Sequence, residues 1–138
     1  MTNGILGLVV TNNNTSPATH IDVSTGTCAS ESSSGAMSLA TTFVKNLTAT
    51  FVEGTGLGGM APGEGLPLSG TANVWLIAKS DGTTDVLVNN DTTSGLDPAL
   101  PTGFTKRRLI SRIWVDANGD IAQFKVYGAG DIVEIRYA

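Results

Sequence analysis

The stretch AMSLATTFVKNLTATFVE, residues 36–53, decides the fold class. As one helix it would make the chain mixed; as strands it leaves no helical segment of any length. Its Thr, Val and Phe residues lose side-chain freedom in a helix and suit a pleated sheet. The content therefore predicts two strands, with a turn near Lys45 and Asn46.

The same period-two signal, broken by Gly, Pro, Asn and Asp clusters, extends in both directions. Upstream, ILGLVVT (residues 5–11) and THIDVST (19–25) flank a polar turn, NNNTSP. The segment GTCASESSSG (26–35) is too polar and small-residued to pack and is expected as a loop. Downstream, GTGLGGMAPGEGLPLSG (54–70) is expected as a long Gly/Pro loop without regular structure. ANVWLIAK (72–79) and TDVLVNN (84–90) form a hairpin around SDGT. A second long loop, DTTSGLDPALPTG (91–103), leads to a basic strand, the turn DANGD (116–120), and two last strands, IAQFKVYG and DIVEIRY. The expectation is a single all-β domain over 1–138, a β-sandwich or jelly-roll-like fold of eight or nine short antiparallel strands with two long Gly/Pro loops. Long loops in so small a domain are usually functional.

Composition excludes several classes. Only 14% of the 138 residues are charged, with a net charge of −4, and the sequence pI is near 4.7. That balance opposes the basic footprint of a nucleic-acid binder. Cys28 is the only cysteine, so an intrachain disulfide and a Cys-rich zinc site are both excluded. The opening MTNGILGLVV lacks the basic start and apolar length of a signal peptide, and the later run VWLIA is far too short to span a membrane. Synthesis and folding in a cytoplasm are expected.

The catalytic and cofactor motifs are weak. GTGLGG spells the dinucleotide pattern, but the following MAPGEGLP cannot supply the helix N-terminus that holds a pyrophosphate. DANGD resembles the start of a calcium loop, yet Ile121 stands where the sixth-position glycine is needed, and an Asn118-Gly119 turn explains the same residues. His20 is the only histidine, and no nucleophile elbow places Cys28 or a serine beside it. Asp81, Asp85, Asp116 and Asp120 are the candidates for a carboxylate pair, and all but Asp85 lie in turn clusters where Asp is expected anyway. No enzyme activity, no cofactor and no metal are expected.

TKRRLISRIW, residues 105–114, holds four of the eight Lys and Arg residues. Plain alternation puts Leu109, Ser111, Ile113 and Val115 on one face and Arg108, Ile110, Arg112 and Trp114 on the other. The expected hairpin partner adds Lys125 and Tyr127 to the second face. Arg, Trp and Tyr suit an interface core. A solvated face with cations stacked over aromatics accounts for the same residues. The sequence prediction is a subunit contact of Arg108, Arg112, Trp114, Lys125 and Tyr127, met by Asp131 and Glu134 of an adjacent copy.

Three blocks, KNLTATFVEGTGLGGM, NVWLIAKSDGTTDVLVNN and PALPTGFTKRRLISRIWVDANGDIAQF, resemble in that order a family encoded in the structural gene regions of tailed bacteriophages and prophages. The family pattern is K-x-L…G-T-G-x-G-G, a D-G turn followed by V-D-x-L, and L-P-x-G-[FY]-x-x-[KR]-R-x-I. HIDVSTGTCA is similar to its N-terminal segment, and the resemblance covers roughly residues 18 to 131. It implies a non-enzymatic virion protein in a tail fibre, adhesin or head appendage, with no site residues to carry over. Family members often continue past this C-terminus, so residues 1–138 match a short form or an N-terminal module. The habits of phage appendages add a homo-oligomer, a trimer by analogy, touching other virion proteins or a host-surface glycan. The alternatives are a capsid decoration or head-fibre protein and a glycan-binding or glycan-cleaving module.

Overall fold

The apolar runs at residues 70–79 and 84–90 are long enough to be covered on both faces, and the rest of the chain wraps them accordingly. The computed structural model describes residues 5–30, 35–90, 98, 100–122, 124–129 and 132–137, the last two ranges as backbone. Its strands are β1 (Leu6–Gly7), β2 (Val10–Asn12), β3 (His20–Val23), β4 (Gly26–Ala29), β5 (Ala36–Leu39) and β6 (Phe43–Thr50). They continue as β7 (Leu57–Met60), β8 (Gly70–Lys79), β9 (Thr84–Asn90), β10 (Phe104–Val115), β11 (Phe124–Ala129) and β12 (Ile132–Tyr137). No helix occurs among the described residues. A seven-stranded sheet of order β10-β8-β9-β7-β6-β3-β2 and a three-stranded sheet of order β1-β4-β5 form a curled, sandwich-like all-β arrangement.

Between the two sheets lies the main core. Ala72, Val74, Leu76 and Ala78 of β8, with Val86 and Val88 of β9, pack in one cluster with Cys28, Met37 and Leu39 of the small sheet. The alternate residues Trp75, Ile77 and Leu87 pack on the far face with Ala61 and Phe104, covered by Phe51, Leu100 and Leu109. Burying each large apolar side chain contributes about 1.5–3 kcal/mol. The expected hairpin is present: Lys79 N–H donates to the Thr83 carbonyl at 2.9 Å, and Asp81 accepts from Thr83 N–H at 2.9 Å.

Several boundaries differ from the sequence expectation. Residues 36–53 do form two strands, but the break falls at residues 40–42, where the chain crosses from the small sheet to the large one. Lys45 and Asn46 sit inside β6. ILGLVVT is split at Gly7 and Leu8, both at positive φ, so β1 and β2 join different sheets. GTCASESSSG contains strand β4, which buries Cys28; residues 31–34 of that segment lie outside the described residues. GTGLGGM contains strand β7, which pairs parallel with both β6 and β9, where only antiparallel pairs were expected.

The last hairpin is also different. After the DANGD turn, pairing with β10 stops at one bridge, Val115 to Ile121. β11 pairs instead with β12, with Lys125 in register with Arg136 and Tyr127 with Glu134. Most of the second long loop, residues 91–97 and 99, lies outside the described residues.

Candidate functional site

β10 carries the cations, and a bulge decides where they point. It pairs with β8 from Phe104 opposite Lys79 to Val115 opposite Gly70, with register shifts between Phe104 and Lys106 and between Leu109 and Ser111, the second of which leaves Ile110 as an extra residue. An extra residue reverses the side-chain phase beyond it. Arg108 is therefore opposite Leu76, on the face between the sheets, whereas Arg112 is opposite Asn73 and Trp114 opposite Thr71, on the other face. The sequence reading had placed Arg108 and Arg112 together. The structure puts them on opposite faces of the strand.

The three arginines meet different surroundings. Arg107 lies over the Trp75 ring at 5.2 Å. Arg108 reaches across to the small sheet, where Nη1 donates to the Ala29 carbonyl at 3.4 Å. Its charge partly offsets the burial that raises the Cys28 thiol pKa. At the strand's end Arg112 is exposed, and Trp114 is 42% exposed. Because β11 leaves the sheet, Lys125 and Tyr127 are not paired opposite Arg112 and Trp114. Asp131 lies outside the described residues, and for Glu134 the structure gives only its backbone register. In the sheet order β10 is an edge strand.

A second constellation escaped the sequence reading. Lys45 and Asp85 are both fully buried, with Nζ 2.9 Å from Oδ1. The Lys45 ammonium also donates to the carbonyls of Val52 at 3.0 Å and Gly54 at 2.9 Å, which uses its three protons. Asp85 Oδ2 accepts from Gly54 N–H at 2.7 Å, and Oδ1 accepts from Val86 N–H at 2.7 Å. The Phe51 ring lies 4.7 Å from Nζ. Burial pushes the Lys45 pKa down, opposed by the hydrogen bond and charge of Asp85. At the rim, Lys79 pairs with Glu53 at 2.6 Å and has its pKa raised by that hydrogen bond.

This pair explains GTGLGG. A parallel return normally takes a crossover of about a dozen residues. Here residues 51–56 alone bring the chain from the end of β6 back beside its start, and Lys45 ties the carbonyls of that strap inward. The return strand must press against the lysine: a Cβ on Gly59 would stand 2.9 Å from Lys45 Cβ and 3.3 Å from Leu47 Cδ2. A Cβ on Gly58 would collide with the Thr50 carbonyl oxygen. The K-x-L…G-T-G-x-G-G pattern is thus one packing unit, with Lys45 and Leu47 lying against Gly59. A signal for it existed. Asp85 is a carboxylate in an apolar strand, and a buried carboxylate needs a counter-charge.

The other candidates have structural partners. Asp116 Oδ1 accepts from the N–H groups of Asn118 and Asp120, as a turn residue does. His20 Nδ1 lies 2.7 Å from Thr19 Oγ1. Among the described residues, no three His, Cys, Asp or Glu side chains converge where a metal ion would sit. No family model matches the chain, and neither a curated protein nor a solved structure is significantly similar to it.

Proposed function

We propose that this protein acts by assembly, as a non-enzymatic structural subunit of a tailed-bacteriophage particle, in a tail fibre or adhesin. The virion assignment rests on the order of the three sequence blocks. The assembly mode rests on one structural observation: β10 is a long edge strand with an exposed Arg112 and Trp114 at its end. An edge strand offers a row of backbone donors and acceptors to another chain. Four cations on it disfavour pairing with itself and favour an acidic strand, and the chain as a whole carries a net charge of −4. The contact is therefore made to a carboxylate-bearing segment of an adjacent copy, for which Asp131 and Glu134 are the candidates.

Localisation in purified particles tests this reading. A particle map or immunogold labelling should place several copies together on the tail. Labelling on the capsid surface would support the decoration-protein alternative. Absence from the particle would reject both.

A further inference from the structure

We propose that Lys45 and Asp85 become joined by an intrachain amide bond, formed by the folded protein itself with loss of one water. This is a single self-modification without turnover, and it does not depend on the virion reading. Three observations carry it. The amine and the carboxyl oxygen are 2.9 Å apart with no exposure of either side chain, so the reacting groups are held together and water is kept out. Groups held this way react as though at effective concentrations of about 10⁵–10⁸ M. The second observation is that Gly54 N–H points at Oδ2 from 2.7 Å, where negative charge develops during attack on Cγ. Thirdly, Nζ is shut off from solvent with no exposure of its side chain, and this loss of hydration disfavours the ammonium relative to the nucleophilic amine, the direction in which burial moves the Lys45 pKa.

The step balances without any co-reactant. One proton passes from Nζ to Oδ1 along their hydrogen bond, giving a neutral amine and a carboxylic acid. The nitrogen lone pair attacks Cγ, and the C–O π electrons move onto Oδ2, stabilised by Gly54 N–H. Collapse re-forms the carbonyl at Oδ2 and breaks the bond from Cγ to Oδ1. Oδ1 leaves as water, carrying the first proton and a second from Nζ. One C–N bond replaces one C–O bond, and nothing is oxidised or reduced. The product staples β6 to β9 across the short strand β7, which lies between them in the sheet.

Intact-mass spectrometry of the purified full chain decides the matter. The expected mass is lower than the sequence mass by one water, with a branched peptide linking Lys45 to Asp85 after digestion. Lys45→Arg and Asp85→Ala should each restore the full mass, and Asp85→Asn should lose ammonia in place of water. A wild-type mass equal to the sequence mass, after prolonged incubation of folded protein, overturns the proposal. So does a one-water loss that maps to Asp81-Gly82, where a cyclic imide gives the same mass change.

Discussion

Replacing single glycines of GTGLGG separates a packing unit from a ligand-binding loop. In Gly59→Ala the new methyl lies 2.9 Å from Lys45 Cβ and 3.3 Å from Leu47 Cδ2. Lys45 cannot swing away, because its ammonium is tied to Val52, Gly54 and Asp85. Overpacking of this kind costs about 1–3 kcal/mol. Gly58→Ala is worse, since its methyl meets the Thr50 backbone, which has no rotamer to change; about 3 kcal/mol or more is expected. Gly65→Ala is the control, at a site with open space around the new methyl; it should change stability by no more than about 0.5 kcal/mol. For a domain of this size each kcal/mol shifts the melting temperature by about 3–5 °C. The expected order is therefore Gly58→Ala lowest by about 10 °C or more, Gly59→Ala intermediate and Gly65→Ala near wild type. Thermal unfolding followed by circular dichroism, with urea titration as a check, measures this directly. Three equal melting temperatures would refute the packing account of the motif.

Three other places in the structure give expected outcomes. Asp85→Ala strands a buried ammonium and removes the acceptor of two backbone N–H groups, so it should cost about 3–5 kcal/mol in urea denaturation, while Lys45→Met with Asp85→Leu recovers part of the loss. An unchanged midpoint for Asp85→Ala would show that the pair does not hold the strap. Arg112→Ala or Trp114→Ala should weaken self-association by about 2 kcal/mol in light scattering, whereas Arg108→Ala, on the opposite face, should weaken it little; wild-type protein that stays monomeric at high concentration and in the particle rules out the contact. Burial raises the Cys28 pKa above its ordinary value of 9.0. The thiol's contribution to stability is thus constant below about pH 9 and falls as the pH rises further, and its alkylation in folded protein at pH 8 should be much slower than in urea; equal rates would mean that β4 does not cover it.

The parts of the fold that were legible are those whose information is local. The β8–β9 hairpin announces itself through a continuous apolar run, a four-residue turn and Asp81 placed to accept from Thr83. The strand character of residues 36–53 follows equally from residue type. Its internal break did not, because a lysine in a strand looks like a turn until its carboxylate is found, and Asp85 stands forty positions later on another strand. β4 and β7 were hidden for a related reason. Gly and Ala are poor strand formers by propensity, yet small residues are what a tight place in a sheet requires, and a Cβ on Gly26 would strike the backbone of Leu6 and Leu8.

The basic strand shows the same limit from the other side. Its alternation was correctly read up to Leu109, and then a single inserted residue, Ile110, reversed the two faces. Nothing in the run of four cations encodes that insertion, since a bulge depends on the register that β8 imposes. Its consequence is chemical. Arg107 and Arg108 leave the strand on opposite faces, one over Trp75 and the other toward Ala29, and so brace this edge of the large sheet on both sides. Arg112 remains exposed at the far end beside Trp114. An acidic chain gathers half its cations there because two of them fasten the edge strand to its own neighbours. If an adjacent copy is recognised by this strand, the discrimination falls to Arg112 and Trp114, the pair beyond the bulge.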